Sequence, residues 1–134
     1  AYTFGNDVFK KSLKSKRGLP RLKLIVHNWV RWYKTGEGGT CPFLAAAVEY
    51  DAKPGPVKDR LQLHTNTLIA TLNKSIELCI EQGHFKPKID TKKVTFELYS
   101  IIIGHLVYIR TMELKSANKI FQASLDDLIK RNSA

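Results

Sequence analysis

The sequence predicts an all-α fold, a helical bundle of about five main helices with a shorter piece in front. Three observations carry that expectation. Apolar residues recur at spacings of three and four in every long segment. No segment alternates apolar and polar residues over a useful length, so no strand pattern competes. Glycine and proline punctuate the chain at Gly18, Gly36, Gly55 and Gly83 and at Pro20, Pro42, Pro56 and Pro87. Proline is tolerated in the first turn of a helix, where its missing N–H costs nothing, so Pro20, Pro42 and Pro56 mark helix starts.

The leading piece, residues 7–15, is amphipathic, with Val8, Phe9 and Leu13 as its apolar positions. The first main helix, "PRLKLIVHNWVRWYK", sets Leu22, Ile25, Trp29 and Trp32 on one face, and Gly36 ends it. "CPFLAAAVEYDA" forms a short helix of small residues from Pro42. The third starts at Pro56 and carries Val57, Leu61, Leu68, Leu72, Ile76 and Cys79 along one stripe. It would reach roughly 40 Å, with Gly83 as its C-terminal cap. Asp90 or Thr91 caps the fourth, whose middle, "LYSIIIGHLVYI", is apolar on almost every side. Ser116 caps the last, where Ile120, Phe121, Leu125, Leu128 and Ile129 make a broad stripe.

The chain of 134 residues is long enough for one domain with a core of its own. Two cysteines far apart, Cys41 and Cys79, form neither a CxxC motif nor a disulfide framework, and a reduced, cytoplasmic setting is the default. The N-terminus shows no apolar leader, and the run at 98–109 is too short to cross a bilayer, so a soluble chain with no membrane partner is expected.

The stretch "GEGGTCPFLAAA" poses the question of catalysis. A phosphate-binding loop needs GxxxxGK[ST], and no lysine stands at that place. A cysteine nucleophile needs a base held by a third group, and His27, His64, His84 and His105 sit in no such signature. Cys41 therefore reads as a residue near a helix N-cap, and no catalytic residue is assigned. A cysteine-dependent enzyme remains a competing class that Cys41→Ser would test. No two histidines or cysteines have the i, i+3 or i, i+4 spacing of a helical metal site, so neither metal nor cofactor is expected.

The formal net charge is +10. Lys10, Lys11, Lys14, Lys16, Arg17, Arg21, Lys23, Arg31 and Lys34 accumulate with no acidic residue among them. Such a run fits nucleic acid, a solvated face, or a face beside a DNA-bound neighbour. His64 lies on an apolar stripe and His105 within the most apolar helix, so each needs a partner, either ordinary protein or a ligand. Trp29, Trp32, Tyr33, Phe43, Tyr50 and Tyr99 fit a plain core or the lining of a cavity between helices. Gly104 weakens its helix by about 1 kcal/mol relative to alanine, and close approach of another helix would account for it. The surplus apolar surface of the last two helices points to a second copy of the chain.

"GGTCPFLAAAVEYDAKPGPVKDRL", then "IELCIEQGHFKPKID" and "KVTFELYSIIIGHL", resemble the C-terminal half of TetR/AcrR-family transcriptional regulators. "VFKKSL" and "RGLPRLKLIVHNWVRW" fit the stretch just before. The resemblance implies one ligand-binding and dimerisation domain over residues 1–134. Residues 1–16 would be the end of a connection to an N-terminal helix-turn-helix domain that grips operator DNA and lies outside this chain. It implies a homodimer, a small hydrophobic or amphipathic effector, and repression relieved when the effector binds. The helices from Thr91 and Ala117 would pair across the dimer axis. On facing and chemistry, Trp29, Trp32, Phe43, His64, Leu68, Leu72, Tyr99 and Ile103 are the candidate ligand-binding residues. Ile102, Gly104, His105, Ile109, Phe121, Leu125 and Leu128 are the candidate dimer interface. A stand-alone helical carrier of hydrophobic molecules is the competing class of binding protein.

Overall fold

A computed structural model describes residues 5–34, 55–109 and 116–134 of the chain. Among them lie a short π-helical segment, Gly5–Lys10, and four α-helices: α1 (Leu19–Lys34), α2 (Pro56–Glu81), α3 (Thr91–Val107) and α4 (Ala117–Asn132). No strand occurs among the described residues. The all-α expectation holds. The short helix expected from Pro42 lies outside the described residues.

Each helix begins for a local reason. α1 starts at Leu19, one residue ahead of Pro20, because another part of the chain supplies a partner for its first N–H. The Leu19 N–H donates to Nδ1 of His84 at 2.9 Å. Gly18 makes this approach possible: its φ is 95°, and a Cβ there would stand 2.5 Å from that same Nδ1. α2 starts at Pro56 as its sequence requires and runs for 26 residues.

α2 ends in a Schellman turn. Gly83, at φ 77°, donates to the Ile80 carbonyl at 3.0 Å, and His84 donates to the Cys79 carbonyl at 2.8 Å. α3 is capped by Asp90, whose Oδ1 accepts from the backbone N–H groups of Lys92 at 3.1 Å and Lys93 at 3.2 Å. Thr91 is the first helical residue rather than the cap. Ser116 departs from expectation. It occupies the cap position of α4 with helical dihedrals and makes no side-chain capping bond.

The helices pack α1 against α2 and α3, α2 against α3, and α3 against α4, with the leading segment laid on α1. Their inward stripes meet in one core. Leu22, Ile25, Trp29 and Trp32 of α1 join Leu68, Leu72, Ile76 and Cys79 of α2, Leu98 and Ile102 of α3, and Leu125 and Leu128 of α4. Each such aliphatic or aromatic side chain contributes about 1.5–3 kcal/mol on burial. In the leading segment Val8 is buried while Leu13 is exposed. On α4, Ile120 is exposed and Ile129 half-buried, so the stripe that reaches the core is narrower than its sequence implied.

The end of the chain closes back on the α2–α3 connection. Phe85 and Ser133 form an isolated antiparallel bridge. Lys86 N–H donates to the Asn132 carbonyl at 2.8 Å, and Ala134 N–H to the His84 carbonyl at 3.0 Å. Phe85 is thereby held in the core.

Candidate functional site

The inward face of α1 is aromatic, and it gathers several of the candidate ligand-binding residues. Trp29 stands between two rings: Phe9 of the leading segment, edge-on at 6.2 Å between centroids, and Tyr99 of α3, tilted at 6.1 Å. Trp32, Leu68 and Leu72 are buried in the same cluster, and Tyr99 packs against it half-buried. Ile103 is half-buried on α3. His64 is half-buried in the N-terminal half of α2, and burial holds its pKa below the usual histidine value. Phe43 lies outside the described residues. The chain thus brings Trp29, Trp32, Leu68, Leu72 and Tyr99 together on the α1–α2–α3 side.

A polar cluster crosses that core. Tyr33 Oη lies 2.6 Å from Nδ1 of His105, and Nε2 of His105 lies 2.9 Å from Oδ1 of Asn118. The amide oxygen of Asn118 only accepts, so Nε2 carries the proton and Nδ1 accepts from the tyrosine hydroxyl. The ring of His105 stacks on Phe121 at 4.2 Å and 10°. Burial lowers the pKa of His105; the bond to Asn118 opposes this and the nearby charge of Lys34 adds to it. Burial raises the pKa of the Tyr33 hydroxyl. The neutral imidazole joins α1, α3 and α4 as a structural tie. Sequence spacing showed that His105 needed partners but could not name Tyr33, 72 residues away.

The candidate dimer residues divide into two sets. Ile102 and Leu128 are fully buried within the chain, and His105, Phe121 and Leu125 nearly so. Their side chains are buried within a single copy of the chain. Gly104 and Ile109 are half-buried. Beside Gly104 the α3 and α4 surfaces leave a hollow of about 290 Å³, lined also by Ser100, Tyr108, Ala117, Ile120 and Ser124. Among the described residues a Cβ on Gly104 would meet nothing within 4 Å, so no described helix of the same chain approaches it closely. Tyr108 is 50% exposed and Ile120 59%, both on this face.

Among the described residues no cluster of three or more His, Cys, Asp or Glu side chains is placed to hold a metal. No helix among them is long and apolar enough to cross a membrane. Cys79 is buried in the core, which pushes its thiol up to about 12 and away from the reactive thiolate.

A bundle with an aromatic inner face, and a second apolar face left open on its last two helices, has the build of a helical binding domain. The profile of the family described as "Tetracyclin repressor-like, C-terminal domain" matches residues 18–125. The chain belongs to that family, the ligand-binding domain of transcriptional regulators. A search of curated proteins finds no match.

Proposed function

We propose that this chain is the effector-sensing, dimerising core of a transcriptional repressor that releases operator DNA when a small hydrophobic or amphipathic molecule binds. The observation that carries the proposal is the aromatic row Phe9–Trp29–Tyr99, which runs from the leading segment through α1 to α3. A molecule seated against Trp29, Leu72 and Tyr99 displaces that row. Phe9 then moves, and with it the segment that would lead to an N-terminal DNA-binding domain. Asn28 strengthens the link, its Nδ2 donating to the Val8 carbonyl at 3.4 Å. A ligand shifts such an equilibrium only by binding one conformation better than the other, and displacement of the row supplies that difference.

Two copies would meet through α3 and α4, at the face that carries Gly104, Tyr108 and Ile120. Domains of this kind regulate rather than catalyse, and no reaction is assigned to the chain. The test has two parts. Native mass spectrometry of the purified chain is expected to show a dimer and, where the effector is retained, its added mass. In the full-length regulator, Phe9→Ala is expected to leave effector binding intact while effector no longer releases operator. A Phe9→Ala regulator that still releases operator at the same effector concentration refutes the coupling; a chain monomeric at every concentration refutes the dimer.

A further inference from the structure

α1 has a second face, beside the one that carries Trp29. Lys23, His27, Arg31 and Lys34 recur at spacings of four, four and three, which places them on one side of the helix. All four are exposed. Beneath them runs an apolar floor: Val26 and Val30 from α1, and Phe121, Leu125 and Ile129 from α4. Together these residues line a groove of about 540 Å³ between the two helices. That lies within the range of small-molecule sites, about 300–1,000 Å³.

The charge on this groove is unbalanced. Among its described lining residues Asp126 is the one carboxylate, and it already accepts from Gln122 Nε2 at 2.9 Å. Among the described residues no acidic side chain forms an ion pair with Lys23, Arg31 or Lys34. A row of cations beside a low-dielectric wall concentrates positive potential in the cleft. An ordinary solvated face has no need of a concave apolar floor. A nucleic acid backbone would use the cations and leave that floor empty.

We infer that the α1–α4 groove binds a small amphipathic anion: an acyl or aryl body along Val30, Leu125 and Ile129, with a carboxylate or phosphate held by Arg31 and its lysine neighbours. Arg31 offers a planar fork that can take two oxygens at once, and Lys23 and Lys34 add charge at either end. The stripe from Lys23 to Lys34 spans about 16 Å, long enough for an extended ten-carbon chain to lie along it. The anion is taken as a free molecule, because the cleft is recessed between two helices rather than raised for a bilayer. This site faces away from the aromatic row, so it stands or falls independently of the effector reading above.

The experiment is an NMR titration of the isotope-labelled chain with decanoate and with decyl phosphate, using decanol as the neutral control. Both anions are expected to shift amide signals on the outer face of α1 and on the facing side of α4. Binding is expected to weaken about tenfold in Lys23→Gln/Arg31→Gln and as salt rises, while decanol binds more weakly from the outset. Val30→Glu is expected to abolish binding in a chain that keeps its helical signal, at some cost in melting temperature because Val30 packs against the core. Unchanged affinity in the Lys23→Gln/Arg31→Gln chain overturns the proposal, as does decanol binding as tightly as decanoate. Shifts confined to Trp29, Leu72 and Tyr99 also overturn it, while leaving the effector reading intact. Binding only to anionic vesicles, with no shift from free decanoate, overturns it as well.

Discussion

Tyr33 and His105, 72 positions apart, share a buried hydrogen bond of 2.6 Å. The bond satisfies two groups that could not otherwise be left in the core, and it fixes the imidazole as the Nε2–H tautomer facing Asn118. Tyr33→Phe deletes the donor and leaves Nδ1 buried without it. A loss of about 1–3 kcal/mol in urea unfolding is expected.

The same cluster sets a pH dependence. Burial lowers the folded-state pKa of His105 below its unfolded value, so the unfolded chain binds the proton more readily. The sign follows: stability is full above the unfolded histidine pKa, about 6.5, and falls as pH drops below it. His64 is shifted in the same direction and adds to the slope. Denaturant midpoints measured from pH 8 to pH 5 are expected to decline, and the decline is expected to shrink in His105→Gln.

Gly18 and His84 form a coupled pair. Gly18→Ala puts a Cβ into the imidazole and forces alanine into φ 95°, and about 1–3 kcal/mol of destabilisation is expected. His84→Ala opens that space but removes the acceptor for the Leu19 N–H. Gly18→Ala is therefore expected to cost less in the His84→Ala background than alone. A double-mutant cycle with strictly additive costs would contradict the contact.

The open face of α3 and α4 separates association from folding. Ile120→Asp is expected to shift sedimentation toward a single copy while the helical signal and melting of that copy persist. Leu128→Ala, in contrast, empties a fully buried site and is expected to cost about 2–5 kcal/mol.

Much of the fold was legible in the sequence. Periodicity placed Leu22, Ile25, Trp29 and Trp32 inward, and Gly83 marked the end of α2 because only a positive φ closes that turn. Local signals failed where distant chain decides. His84 moves the start of α1 ahead of Pro20, and Ser116 is a capping residue type that does not cap. Facing is also ambiguous on a helix whose apolar stripe is wider than its buried one: spacing alone does not separate Ile102 and Leu128, buried within one copy, from Ile120, exposed on the same pair of helices. The aromatic face of α1 was found from spacing. The basic groove beside α4 was not, since its second wall lies about a hundred positions further along the chain.

The connection after α2 is where three helix ends converge. His84 holds the first residue of α1, Gly83 and His84 close α2, and the strand-like pairing at Phe85 grips the residues that end α4. Helices pinned at a common point act as levers about a fulcrum. Over the 26 residues of α2, a tilt of about 5° leaves His84 in place and carries the Pro56 end about 3 Å. A small rotation at this joint is thereby magnified at the opposite pole of the molecule.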